Sequence, residues 1–418
     1  MKRVGQLFES IVDMDNLRLA FMKASRGKRV RIDQREYQRN LDLELCKLRE
    51  GLMDGSYPIG NYTHFTIFDP KEREICAAAF SERVLHHALM NVCEPYFDKW
   101  LIERTFACRK GKGQIKALAT AQAASWRNKW YLKCDFRKYF DSIPHKGLIE
   151  LLHRKIKDDM VLYWFEKIIA SHETSKGRGL PIGNLTSQHF ANLYLDSLDR
   201  LLPGVDYVRF MDDFVLWTNS KDEILSCRAR IMDFVENELG LTLKEPILNR
   251  TSHGMDFLGM RVFPTKVRAN RRSTDRYKRK VRRYEYEFDI GRMPENELQS
   301  RVTALTAFLS QGDTLGWRRT FWGSRREVSG SNRVIRGGSW NNDANNCTSS
   351  NRNNNNPSNN NNNNGFRLAC SASPQEQTAV PVGFPFPDSL GQIHRRYGVG
   401  NKIEGDMPPL YNFREISL

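Results

Sequence analysis

Two adjacent carboxylates, Asp212 and Asp213, stand between apolar runs in Tyr207-Val208-Arg209-Phe210-Met211-Asp212-Asp213-Phe214-Val215-Leu216-Trp217. Val205 to Met211 and Phe214 to Trp217 read as strands, and the acidic pair falls where a tight hairpin turns. Neighbouring side chains in a strand or tight turn point different ways, so the two aspartates need not share one task. Aspartate also favours ordinary turns, and this stretch alone leaves both readings open. A third carboxylate breaks the tie. Trp130 to Phe136 reads as an apolar strand that carries Asp135 at its end. An unpaired carboxylate buried there would be costly. A divalent cation held between Asp135 and the Asp212–Asp213 pair removes that cost. Magnesium takes hard oxygen ligands and keeps positions for water or substrate phosphate. Two Mg2+ ions, or Mn2+ in their place, bridged by such carboxylates can activate a 3′-hydroxyl and stabilise a departing pyrophosphate. Asp141 lies in a turn toward a helix and reads as a local cap.

The surrounding pattern supplies elements to position these groups. Met14 to Ser25 reads as a helix, and Asp33 could cap a second helix running to Gly51. Thr63 to Phe68 alternates as a strand, followed by a turn and a second short strand through Ile75. Lys71 and Arg73 are two apart, so they share a face in that strand and suit a polyphosphate. Phe80 to Val92 is a helix candidate, and its adjacent His86 and His87 lack the spacing of a helical metal pair. Arg109, Lys110 and Lys112 occupy a glycine-containing loop before an alanine-rich helix. That placement suits phosphate without the spacing of a Walker motif.

Further along, His145 to Ala170 reads as helix. Gly177 to Gln188 is a glycine-containing turn stiffened by Pro181, leading into a helix through Leu198. Asp222 to Leu239 is an amphipathic helix ended by Gly240. Leu241 to Lys244 is strand-like, and His253 to Val262 reads as a small hairpin.

Bulk composition narrows the partner. The 418 residues carry a formal net charge of +16, which places nucleic acid first and an anionic membrane second. Residues 266–283 hold ten Lys or Arg and one Asp, interleaved with Tyr277, as a nucleic-acid surface would. No run of 18 apolar residues and no apolar leader is present, so neither a membrane span nor secretion is expected. The eight cysteines are scattered, which fits reduced thiols in a cytoplasmic protein, with no zinc site. The region from about Val328 onward changes character. Fifteen asparagines fall between Asn341 and Asn364, and such a tract builds no core.

Three motifs together, in this order and spacing, carry a resemblance: Asp135-Phe-Arg-Lys-Tyr-Phe140-Asp141-Ser-Ile, Leu180-Pro-Ile-Gly-Asn-Leu-Thr-Ser-Gln188 and Phe210-Met-Asp-Asp213. Residues 60–325 resemble a reverse transcriptase, and within that group the enzymes of diversity-generating retroelements, relatives of group II intron proteins. The resemblance implies an α+β right-hand polymerase fold. Residues 1–59 would be an N-terminal helical region, 60–127 the fingers, and 128–265 the palm with interleaved fingers elements and a primer-grip hairpin. Residues 266–328 would be a helical thumb, and 329–418 a largely disordered low-complexity tail.

It further implies that Asp135, Asp212 and Asp213 form the catalytic, metal-binding triad. Lys71, Arg73 and Arg109 would meet nucleotide or template, Phe140 would crowd a ribose 2′-hydroxyl, and Lys244 would stand near the leaving pyrophosphate. Phe257, Leu258 and Gly259 would be the primer grip. Ile182, before Gly183, replaces the glutamine of many relatives and removes its hydrogen bonds beside the templating pair. In this family that change accompanies error-prone copying, especially opposite adenine.

Arg333 to Trp340 and Gly365 to Cys370 resemble the end of a formylglycine-enzyme-like or lectin-like variable domain. A reading frame that runs into an adenine-rich template repeat would make such a stretch rich in asparagine. The expected partners are template RNA, a DNA or RNA primer, dNTPs and a small basic helical-bundle accessory protein. The alternatives are a group II intron enzyme that aids splicing, a non-catalytic RNA-binding protein on a polymerase fold, and an RNA-dependent RNA polymerase. The intact aspartates count against the second and bulky Phe140 against the third.

Overall fold

The computed structural model describes residues 3–27, 32–68, 72–323, 333–336 and 352–355. The architecture is α+β, as the sequence predicts. Helices α1 (Phe8–Val12), α2 (Met14–Ser25), α3 (Ile32–Arg39) and α4 (Leu41–Asp54) precede a hairpin of β1 (Tyr62–Phe68) and β2 (Glu72–Ala78). Helices α5 (Phe80–Trp100) and α6 (Gln114–Arg127) lead to β3 (Trp130–Asp135). Then come α7 (Tyr139–Ser142), α8 (His145–Lys155), α9 (Asp159–Ala170), α10 (Leu185–Tyr194) and α11 (Asp196–Asp199). The hairpin β4 (Asp206–Phe210) and β5 (Asp213–Thr218) follows, with α12 (Lys221–Asn237) and β6 (Ile247–Arg250) behind it.

Strands β3 to β6 make one antiparallel sheet in the order β4-β5-β3-β6. The shorter strands β7 (Met255–Phe257), β8 (Met260–Val262) and β9 (Val267–Ala269) form a second sheet. Described residues up to Lys278, with 311–313, make one compact unit. The other unit holds the described residues of 279–310 and from 314 onward. Helix α13 spans Arg271–Asp289, and α14 (Glu295–Leu309) and α15 (Leu315–Gly323) follow it. Leu298, Val302 and Leu309 are the buried residues of α14, and Thr314 closes the end of that helix by donating to the Leu309 carbonyl at 2.8 Å. Strands β10 (Arg333–Arg336) and β11 (Arg352–Asn355) pair antiparallel.

Several expectations shift for local reasons. The helix expected over 145–170 is two helices, because Asp158 caps α9 through the Val161 amide and also accepts from the Leu7 and Phe8 amides at 2.8 and 3.1 Å. The helix expected from Asp33 to Gly51 breaks at Asn40 and ends past Gly51, where Gly55 takes the left-handed conformation at φ 77°. The helix expected through Leu198 is likewise two, α10 and α11. Leu241 to Lys244 makes an isolated bridge, Phe136 to Leu243, while β6 was not anticipated. Tyr277 is not a surface aromatic among the cations of 266–283 but is buried, 2% exposed. Of the tail expected to be largely disordered, 333–336 and 352–355 pair as strands, and the rest lies outside the described residues. No helix among the described residues is long and apolar enough to cross a membrane.

Candidate active site

The sheet brings the three carboxylates to one end. Asp135 closes β3 and stands directly opposite Asp213 in the β3–β5 register. Directly opposed residues project from the same face of a sheet, so these two carboxylates meet. Asp212 lies with Met211 in the two-residue turn of the β4–β5 hairpin. Met211 takes φ 58°, a value that glycine usually supplies at the first central position of such a turn. The expected hairpin is therefore present, and the aspartates divide between turn and strand.

Arg209 holds that turn from behind, a role the sequence reading missed. Its guanidinium is fully buried and binds both Asp199 oxygens at 2.6 Å. It also donates to the Asn192 side chain at 2.7 Å, the Asn192 carbonyl at 3.0 Å and the Met211 carbonyl at 2.9 Å. All five donors are used, so the residue before Asp212 is tied to the core. A charged residue inside an apolar strand, at Arg209, was the available signal, since a cation buried there demands an acidic partner.

Burial raises Asp212 above the ordinary carboxylate value, and the Asp135 charge raises it further, while Lys244 and Arg73 pull it down. Burial also pushes Asp213 up to about 7, against the pull of Lys133. Lys244 contributes from two directions: its amide donates to the Asp135 carbonyl at 2.8 Å, and its ammonium pairs with the Asp135 carboxylate. Lys133, likewise missed by sequence reasoning, places its ammonium 3.1 Å from Asp213 Oδ2.

Hard-oxygen chemistry fits this donor set. Asp213 Oδ1 is buried without a hydrogen-bond partner, and the crowded carboxylates gain from added positive charge. Among the described residues, however, no group of three or more His, Cys, Asp or Glu side chains is placed so that it could hold a metal ion. Lys133 and Lys244 lie against two of the three carboxylates instead.

The other expected residues are placed as follows. Arg73 is exposed on β2, opposite Ile67, and its charge reaches Asp212. Lys71 lies outside the described residues. Phe140 is half-buried at the start of α7, and its carbonyl accepts from the Leu180 amide at 2.9 Å. That bond sets the Leu180–Gly183 segment beside the expected sugar gate. The Ile182 carbonyl in turn accepts from the Cys76 amide at 2.8 Å, joining this segment to β2. Gly183, at φ 121°, lies so close to β2 that a Cβ would meet the Cys76 carbonyl at 3.1 Å.

Arg109 requires a correction. Its side chain is 3% exposed and is spent on Asp98, on the Ile102 and Thr105 carbonyls and on the Thr105 hydroxyl. Burial forces such a cation to satisfy its donors inside the fold, and here it ties the end of α5 to the following loop. Its guanidinium is thus turned to the protein interior and not to solvent.

Phe257 is buried, while Leu258 and Gly259 turn the β7–β8 hairpin at φ 50° and 78°. Gln114 holds the hairpin through the Leu258 carbonyl at 2.7 Å, and the Ser273 hydroxyl does so through the Gly259 carbonyl at 2.7 Å.

An antiparallel sheet presents clustered carboxylates beside a turn, backed by helices, an arrangement that suits nucleotidyl transfer of the polymerase type. Comparison with known families agrees. Residues 69–262 match the family described as reverse transcriptase (RNA-dependent DNA polymerase). Residues 69–262 are therefore homologous to a reverse-transcriptase domain, and the chain is an enzyme of the nucleotidyltransferase class, a chemistry that depends on divalent metal. Residues 263–372 match a second family, the sulfatase-modifying factor enzyme 1-like domain.

Among curated proteins, protein YkfC of Escherichia coli K12 is 23% identical over 324 residues, 65% of this chain and 81% of YkfC. The group II intron-encoded protein LtrA of Lactococcus lactis is 25% identical over 170 residues, 38% of this chain and 28% of LtrA. A solved structure, the apo telomerase of Candida tropicalis, is similar at a TM-score of 0.43 and 11% identity, covering 76% of each chain.

Proposed function

We propose that this protein copies a template-repeat RNA into error-prone cDNA that diversifies a target gene, as the reverse transcriptase of a diversity-generating retroelement. The observation that carries this reading is Ile182, joined to β2 through its carbonyl, at the position where the enzymes it resembles often hold a glutamine. An apolar side chain there leaves the templating pair without a polar check on its geometry. Independent support comes from the asparagine tract, which lies between two motifs of formylglycine-enzyme type and inside the match to the sulfatase-modifying-factor family.

In the proposed reaction, Lys71 and Arg73 clamp the incoming triphosphate, and Phe140 crowds a ribose 2′-hydroxyl. The hairpin at Phe257 to Gly259 holds the primer so that its 3′-oxygen attacks the α-phosphorus, and the bond to pyrophosphate breaks. Asp135, Asp212 and Asp213 are the residues that would hold two Mg2+ ions, which when bound lower the cost of the developing negative charge. Lys244, at Asp135, carries a proton suited to the departing pyrophosphate. The cations of α13, with Arg271, Arg272, Arg279, Arg282 and Arg283 exposed, face nucleic-acid backbone. A small basic helical-bundle protein would act with the enzyme on a structured template RNA in the cytoplasm.

The test is to copy a defined RNA with all four dNTPs and sequence the product. This reading expects substitutions concentrated opposite template adenine. Errors spread evenly over the four bases would contradict it. The likeness to LtrA favours a second reading, a splicing-associated intron enzyme. It predicts stimulated splicing of a cognate intron and ordinary fidelity opposite adenine.

A further inference from the structure

Lys133 connects two parts of the site that are far apart in the chain. It lies on β3 two residues before Asp135, so the two side chains leave the same face of the sheet. Its ammonium stands 3.1 Å from Asp213 Oδ2 and donates to the Asp256 carbonyl at 2.8 Å. The same nitrogen lies 6.0 Å from the centre of the Phe257 ring. Asp256 and Phe257 belong to β7, the first strand of the expected primer-grip hairpin. A second side chain of β3, Tyr131, reaches the same hairpin more weakly, through the Gly254 carbonyl at 3.4 Å. The hairpin turn is otherwise held by Gln114 and Ser273, neither of which touches a catalytic carboxylate.

We propose that Lys133 is a positioning residue that ties the primer-grip hairpin to Asp213, so that one ammonium sets the primer terminus and the carboxylate relative to each other. A lysine is suited to this. Its three donors radiate from one point and serve a carboxylate and a carbonyl at once. The side chain is 20% exposed, enough to be screened from bulk water without being sealed from a substrate. The proposal rests on reading residues 257–259 as the primer grip.

The experiment compares wild-type protein, Lys133→Met and Lys133→Arg in two measurements made in EDTA, so that no turnover contributes. The first is amide hydrogen exchange over residues 255–262 of the free protein. The second is primer–template affinity as a function of salt. Lys133→Met is expected to speed exchange across the hairpin by about tenfold and to weaken primer–template binding by about tenfold, with Lys133→Arg recovering much of both. The salt dependence of binding should keep its slope, because the lysine acts through the hairpin. A direct phosphate contact would instead reduce that slope by about one.

Unchanged hairpin exchange overturns the tie. Faster exchange with unchanged primer affinity overturns its role in positioning the primer, as does a reduced salt slope. If wild-type protein binds no primer–template, the polymerase reading falls, and the exchange contrast alone then upholds or overturns the link to Asp213.

Discussion

Arg209 donates to the carbonyl of Met211 at 2.9 Å, from a guanidinium that also holds both oxygens of Asp199. One buried ion pair therefore fixes the residue that precedes Asp212. Met211 occupies a left-handed conformation that costs energy for any side chain, and such a turn persists when its surroundings over-determine it. The carboxylate at the hairpin tip is held in place by residues that never touch substrate.

Breaking this pair from one side should be expensive. Arg209→Met leaves Asp199 buried and unpaired, a loss of about 3–5 kcal/mol in unfolding free energy. Combining it with Asp199→Leu removes the orphaned charge and should restore part of the stability. Urea denaturation of the two variants measures both. A double variant no more stable than Arg209→Met would show that the cost lies in packing and not in the stranded carboxylate.

Acid should destabilise the protein through two interior histidines. Burial lowers His86 from 6.5 to about 3 and His189 from 6.5 to about 4. Both are neutral in the fold and would gain a proton on unfolding. Their contribution is therefore fully present above pH 6.5 and is lost progressively as pH falls toward 4 and then 3. Thermal melts should show a falling midpoint across that window, with a shallower slope in His189→Gln. An identical slope in the variant would remove His189 from the account.

Phe140→Ala should admit ribonucleotides. The bulky ring is expected to crowd a 2′-hydroxyl, and removing it opens that space. Ribonucleotide use should rise by at least about tenfold relative to the matching deoxynucleotide, equivalent to about 1.4 kcal/mol of lost discrimination. Competition kinetics with rNTP and dNTP on one template reads this ratio, and no change would assign the half-buried ring to packing alone.

If Ile182 borders the templating pair as proposed, Ile182→Gln adds hydrogen-bonding capacity there. Misincorporation opposite adenine should fall, while errors opposite the other bases change little. Product sequencing gives the answer, and an unaltered adenine spectrum would dissociate Ile182 from fidelity.

What was legible in the sequence was the part governed by short-range pattern. Apolar runs gave β3, β4 and β5, and the aspartates at their ends and in the turn between two of them marked the candidate site. Asp135 and Asp213 stand together because β3 ends where its antiparallel neighbour β5 begins. The roles of Arg109 and Arg209 depend on partners brought near by the fold. Arg109 looked like a surface cation in a basic loop, yet Asp98 and two carbonyls from the end of α5 and the loop after it enclose it. Lys133 was hidden for the same reason, since both of its partners arrive from other strands. The split of the helix at 156–158 followed from a long-range cap, Asp158 binding the chain near Leu7, which no local propensity announces.

The central claim is that the Asp135, Asp212 and Asp213 cluster performs RNA-templated DNA synthesis. The most direct measurement is extension of an annealed primer on a defined RNA with dNTPs and Mg2+, comparing wild type with Asp212→Asn. The account predicts a full-length DNA product from wild type and a loss of at least about a thousandfold in the variant, with its melting temperature preserved. DNA synthesis by a folded Asp212→Asn protein at the wild-type rate would contradict it.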